Sequence, residues 1–228
     1  INFVERAFSA EKGSQFIITK LKEKGISATV ISEAIEYITH RDEICEFSLL
    51  NRRLEQINFD FRLKSGKTVN LTHEVYGKSD GVAILLYNPL TQKVILSKQI
   101  RMPVYINGNT NGYSIEVVGG GMDTNESAET CVIRETEEEV GYKVKEVKRV
   151  STVFLSPGIV KEKVHLFVGE YTDEDKTENG GGLEAENEEI EVLETPFKDA
   201  LKMIETEEII DARTIMLLQY IQINKLLK

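Results

Sequence analysis

Two cysteines in 228 residues, Cys45 and Cys131, make no disulfide framework and fall at no metal-ligand spacing, so they read as free thiols of a reducing cytoplasm. The three histidines, His40, His73 and His165, also lack ligand spacing and are expected to be structural. No apolar run is long enough to cross a membrane, which excludes a membrane span. No basic stretch with an apolar core opens the chain, so no leader is expected, and Ile1 in place of Met is consistent with a missing start. Positive charge is scarce: 28 Lys and Arg stand against 38 Asp and Glu, giving a formal charge of -10. That balance argues against a nucleic-acid surface as the main business. It leaves a phosphate substrate open, because a bound divalent cation reverses the local field.

What is there is a globular balance of 41% hydrophobic and 29% charged residues, at a length that suits one core domain with a smaller appendage. Residues 1–42 read as a helical hairpin. Phe16, Ile17 and Leu21 recur at helical spacing up to Gly25, and Val30, Ile31, Ala34, Ile35 and Ile38 repeat behind a Ser27 N-cap. Residues 43–80 form a small β region, with alternating strands near 57–63 and 68–75 about a turn at Ser65-Gly66. In the remainder, 81–228, the apolar run VAILLYN predicts a buried strand over 82–88, and KVILSKQI completes a hairpin over 93–100. Further strands are expected at 113–118, 142–155, 162–171 and 190–197, with helices at 126–140, 197–205 and 212–227. The polar, Gly-rich stretch 172–182 reads as a mobile loop. There is no internal repeat, and the order is mixed α/β.

One stretch stands apart. After Gly119-Gly120-Gly121, the helix at 126–140 carries Glu135, Glu138 and Glu139 at spacings of three and four. Such residues share one helix face, with Cβ atoms about 5–6 Å apart, and like charges there repel. Either the face is solvated or something cationic occupies it. Carboxylates are hard ligands, and Mg²⁺ takes one or two of them together with waters and substrate phosphates. Glycines at the strand-to-helix passage let backbone approach a metal closely. Arg134 is placed to tie Glu126 to the helix, while Ala128, Cys131 and Val132 occupy its core side.

Gly120, five residues, Glu126, seven residues, then Arg134-Glu135-x-x-Glu138-Glu139-x-Gly141 resembles the Nudix box of hydrolases that cleave nucleoside diphosphates linked to another moiety. Thr136 and Tyr142 depart from the usual aliphatic residues, both at packing positions. The resemblance implies an α/β/α sandwich with a mixed sheet. It makes Glu135, Glu139 and the Gly119 carbonyl metal ligands and Glu138 a ligand or orienter of a metal-bound water. Glu126, Arg134 and Gly141 support the loop and helix around Gly120. Mg²⁺ is the implied cofactor, with Mn²⁺ as a substitute.

HEVY (73–76), GVAILLYN (81–88), KQIRMPVYINGN (98–109), FLSPG (154–158), GGGLEAENEEIEVLE (180–194) and IIDARTIMLLQYIQ (209–222) are similar to the GDP-mannose pyrophosphatases of the ADP-ribose pyrophosphatase-like branch. By that similarity Glu186 and Glu188 supply a base or a further metal ligand from a loop remote from the helix. Arg101, Glu116, Gly120, Ser156, Gly158 and Glu162 are implied substrate contacts. A homodimer joined through 43–80 is likewise implied. Within 10–38, KLKEKGIS and the following helix resemble one helical repeat of RecX-type recombination regulators, for which a packing or oligomerisation role is expected.

The activity that the resemblance implies is Mg²⁺-dependent hydrolysis of a nucleotide-sugar pyrophosphate, GDP-mannose to GMP and mannose 1-phosphate. ADP-ribose is the rival substrate, and a non-catalytic ligand sensor is the rival function. The complete set of glutamates counts against the sensor, and against the related attack on the sugar carbon that releases GDP, whose enzymes carry an altered box.

Overall fold

The computed structural model describes residues 54–108, 111–182 and 189–228, which divide into two compact units between Val75 and Tyr76. The helical hairpin expected over 1–42, Cys45, Glu186 and Glu188 lie outside the described residues.

In the first unit, β1 (Leu54–Arg62) and β2 (Thr68–Tyr76) form a two-stranded sheet. The turn between them puts Gly66 at φ +84°, a left-handed angle that glycine takes without strain. Phe59 meets His73 edge to face at 5.2 Å, so that histidine is used in packing.

The second unit is built on a mixed sheet. Its strands are β3 (Gly81–Asn88), β4 (Lys93–Ile100), β5 (Tyr113–Glu116), β6 (Lys148–Val153), β7 (Val164–Glu170) and β8 (Glu191–Pro196). β3 runs parallel to β7 and antiparallel to β4, and β7 pairs β6 antiparallel. Ser97 and Lys98 of β4 pair both β5 and β8, which therefore lie on opposite edges of β4. Beyond β5 the chain bends onto β3, where Val118 faces Ile84 and Gly121 faces Gly81.

Every residue of β3 is buried, which is why its apolar run is continuous. The period of two divides it between two cores. Ala83, Leu85 and Tyr87 pack with Phe197 and Ala200 of one helix, α3 (Phe197–Glu205), and with Leu217, Leu218 and Ile221 of another, α4 (Ala212–Ile223). Val82, Ile84 and Leu86 pack on the other face with Cys131, Val132 and Val140 of α2 (Ala128–Val140). The result is helices on both faces of a mixed sheet, the sandwich implied by the resemblance. Each fully buried Leu or Ile of β3 contributes about 1.5–3 kcal/mol.

α1 (Met102–Ile106) was not foreseen. Pro103 opens it in the first turn, where a missing N–H costs nothing. The strand expected over 142–155 is realised only as Lys148–Val153, because the Tyr142–Lys143 backbone pairs with Asp175 and Lys176 instead. The stretch expected to be a mobile loop makes that pairing: Asp173–Asp175 is a 3₁₀ turn closed by a Thr172–Asp175 capping box, and Thr177 N donates to Gly141 O. The last helix ends at Ile223 rather than 227. Lys225 takes a positive φ, and Leu227 turns back into the core. Among the described residues, no helix is long and apolar enough to cross a membrane.

Candidate active site

α2 is positioned at both ends by its own sequence. Ser127 caps its start by accepting from Thr130 N, and Gly141 ends it in a left-handed conformation at φ +73°. A side chain at Gly141 would also strike the Glu178 carbonyl at 2.3 Å. Thr136 and Tyr142 both pack: Thr136 is fully buried with its hydroxyl donating to Val132 O, and Tyr142 meets Tyr171 edge to face.

The acidic face of α2 is not a solvated one. Glu139 is 3% exposed and accepts from Gly119 N at 3.3 Å. Glu135 lies against Gly120 so closely that a Cβ there would be 2.1 Å from its carboxyl carbon. Glycine at 120 leaves room for that carboxylate, which a side chain there would push aside. Arg134 pairs with Glu135 and Glu138 at 2.9 Å and with Glu126 at 3.1 Å. Glu126 also accepts from Asp123 N. The Arg134 guanidinium, helped by that N–H, holds the Glu126 carboxyl down at about 2. Glu126 in turn raises the Arg134 pKa further. Burial pushes the Cys131 thiol up to about 12, so it is a core side chain rather than a nucleophile or ligand.

Among the described residues no three acidic, His or Cys side chains already converge as a metal centre, since Glu135 and Glu138 are turned onto Arg134. The donors nevertheless fit a hard divalent cation in kind: oxygen only, from one helix face beside a glycine passage. The carbonyls of Val118 and Gly120 are taken by β3 N–H groups, whereas the Gly119 carbonyl between them is not.

A cavity of about 420 Å³ opens beside this face. Gly119, Gly120, Gly121 and Glu139 line it together with Arg101, Arg213, Asp211, Lys78 and Glu162. Glu162 pairs with Lys78 at 2.7 Å. Arg101 donates through Nε and Nη2 to Glu116 at 2.8–3.2 Å, and Arg213 Nη2 donates to the same carboxylate at 2.7 Å. Burial works against the charge on Glu116, but the two arginines outweigh it and hold its pKa below the usual range. Glu116 is thus buried behind Arg101 and Arg213. Asp211 caps α4, accepting from Thr214 N and the Thr214 hydroxyl, and also takes Arg213 Nε.

The structure brings Gly119, Gly120, Glu139, Arg101 and Glu162 to one cavity, with Glu135, Glu138, Glu126 and Arg134 behind it. Ser156 and Gly158 are exposed and do not line the cavity, although neighbouring Leu155 does. Lys78, Asp211 and Arg213 were missed as site residues. The last two lie in the stretch IIDARTIMLLQYIQ, and its resemblance to the family is the signal in the sequence that reaches them.

The model of the NUDIX domain matches residues 77–218, and the chain belongs to that family. Proteins named GDP-mannose pyrophosphatase from Shigella flexneri serotype 5b, Shigella dysenteriae serotype 1 and Escherichia coli O157:H7 are each 42% identical to it over 174 residues. The alignments cover 76% of this chain and 90% of each relative.

Proposed function

We propose that this protein hydrolyses the pyrophosphate bond of a nucleotide sugar, with GDP-mannose as substrate and GMP and mannose 1-phosphate as products, and that Mg²⁺ is its cation. The observation that carries this reading is the buried Glu139 carboxylate beside Gly119–Gly121, lining the same cavity as Arg101 and Arg213. Carboxylates to hold a cation and guanidiniums to hold phosphate are what a pyrophosphate requires of a site. Similarity to relatives named for GDP-mannose supports the sugar nucleotide.

When bound, the divalent cation neutralises phosphate charge and lowers the pKa of a coordinated water. Glu135, Glu138, Glu139 and the Gly119 carbonyl are assigned to hold it. Arg101 orients a phosphoryl group by its planar fork. Glu186 and Glu188 are assigned as base or additional ligand. In support of that placement, Gly181 N donates to the Glu139 carbonyl and Ile190 N to the Gly181 carbonyl, which anchors the base of their loop at the end of α2. Ser156 and Gly158 are assigned to the substrate's outer parts. The domain plan remains 1–42, 43–80 and 81–228, in a cytoplasmic homodimer. Exposed Leu54, Ile57 and Phe61 on β1 support pairing of chains through 43–80.

The test is to incubate GDP-mannose and ADP-ribose separately with the protein and Mg²⁺ and to separate the products. GMP from GDP-mannose, with ADP-ribose little touched, is expected. Preferred cleavage of ADP-ribose transfers the assignment to that substrate, and binding without cleavage makes the protein a sensor.

A further inference from the structure

We propose that Thr214 of α4 is a positioning residue for the cation site. Its hydroxyl fixes the main chain at Val117, and so sets where Gly119 presents its carbonyl to a divalent cation and its N–H to Glu139. The inference rests on the reading that Gly119 and Glu139 hold a cation. It goes beyond that reading by giving a role to a fully buried residue that does not line the cavity.

The passage that carries Gly119 lies between two ladders. β5 is paired with β4 as far as Glu116, which faces Ser97. From Val118 the chain is bonded to β3 instead: Ile84 N donates to the Val118 carbonyl at 2.8 Å, and Val82 N to the Gly120 carbonyl at 2.9 Å. Val117 stands at the changeover and is 2% exposed, so its N–H needs a partner within the protein. The partner comes from α4, where the Thr214 hydroxyl accepts from Val117 N at 2.8 Å.

A third group fixes the direction of that bond. The Thr214 hydroxyl donates its own proton to the Asp211 carboxylate at 2.7 Å, and a carboxylate can only accept. The hydroxyl oxygen is therefore held as an acceptor aimed at Val117. Helix capping explains the bond from Thr214 N to Asp211, and the buried Leu217, Leu218 and Ile221 already attach α4 to the sheet. The bond to Val117 serves neither purpose, and it joins residues 97 apart. Two residues further on, Gly119 N donates to the Glu139 carboxylate at 3.3 Å, and a Cβ at 119 would lie 2.5 Å from the Val82 carbonyl. The main chain there is held closely against β3, with Thr214 as its upstream anchor. Ligand atoms have to be placed within about 0.5 Å, so a shift at Val117 reaches the Gly119 carbonyl and the Glu139 carboxylate together.

The experiment titrates Mn²⁺ into the full chain without substrate and follows the free ion by electron paramagnetic resonance. Wild type, Thr214→Val, Thr214→Ser and Glu139→Gln are compared at a temperature where circular dichroism shows each to be folded. Thr214→Val keeps the shape and removes the acceptor, whereas Thr214→Ser keeps the hydroxyl. Loss of such a supporting bond predicts roughly tenfold weaker Mn²⁺ binding in Thr214→Val, with Thr214→Ser close to wild type. A merely structural role would lower the thermal midpoint and leave the Mn²⁺ affinity of the folded variant unchanged, which overturns the proposal. Equal weakening in Thr214→Ser and Thr214→Val also overturns it, because the hydroxyl would then not be the cause. If Thr214→Val does not fold, Thr214→Ala carries the same comparison, and failure of both to fold makes Thr214 a residue of the fold and rejects the proposal. Weakened binding by Glu139→Gln beside wild-type binding by Thr214→Val keeps the cation reading and rejects this inference alone. Absence of Mn²⁺ binding by wild type, or equal binding by Glu139→Gln, removes the cation reading, and the inference falls with it.

Discussion

At Arg134 one guanidinium serves three carboxylates, those of Glu126, Glu135 and Glu138; at Glu116 one carboxylate serves two guanidiniums, those of Arg101 and Arg213. Glu139 adds a further negative charge to the first cluster, whereas Asp211 brings the second only to balance. The clusters are complementary in what they lack. The first has anions to spare for a cation, and the second has open guanidinium edges for an anion. Both reach one cavity, the first through Glu139 and Gly120, the second through Arg101 and Arg213. A site built this way is suited to a cation and a phosphate arriving together, and less to either alone.

The comparison breaks most sharply at Glu139. Glu139→Gln keeps the shape and the hydrogen bond to Gly119 N but removes a charge from the anionic cluster. Turnover of GDP-mannose with Mg²⁺ is expected to fall by about a thousandfold, with the circular dichroism spectrum unchanged. Undiminished turnover would show that the face of α2 holds no cation. On the other cluster, Arg101→Ala is expected to lower kcat/KM by roughly tenfold to a hundredfold, measured by steady-state kinetics.

A smaller effect sharpens the contrast. Arg134→Ala leaves Glu126, Glu135 and Glu138 facing one another. Its thermal midpoint should drop without divalent cation, and added Mg²⁺ should restore more of it than the same addition gains for wild type. Equal gains would mean that the carboxylates do not share a cation. The smallest effect is in acid. The Glu126 carboxyl is held near 2, below its ordinary 4.5, so its contribution to stability is present above about pH 4.5 and is lost as pH falls toward 2. Unfolding followed across that range should be less steep in Glu126→Gln than in wild type.

The two clusters were not equally legible in the sequence. The first is local. Glu135, Glu138 and Glu139 share a helix face because of their spacing, and Glu126, in the short loop just before the Ser127 cap, reaches Arg134 over only eight residues of chain. The second joins Glu116 to Arg213 across 97 residues, and no periodicity reports such a meeting. The similarity of 209–222 to relatives gave the only signal there. The fold followed the same division. β3, β4 and α3 were legible because a continuous apolar run, a hairpin and a Pro196 boundary set their limits. The strand expected from 142 was not, because Tyr142 and Lys143 find backbone partners more than thirty residues on. α1 was not legible because its five residues, Met102–Ile106, are too few to show a helical period.

The most direct test of the account is hydrolysis of GDP-mannose by the Mg²⁺-loaded protein in ¹⁸O-labelled water, with mass analysis of the products. The account predicts GMP and mannose 1-phosphate, with the label in one of their phosphates, as attack at phosphorus requires. Release of GDP with the label in mannose would contradict it, since the water would then have attacked carbon.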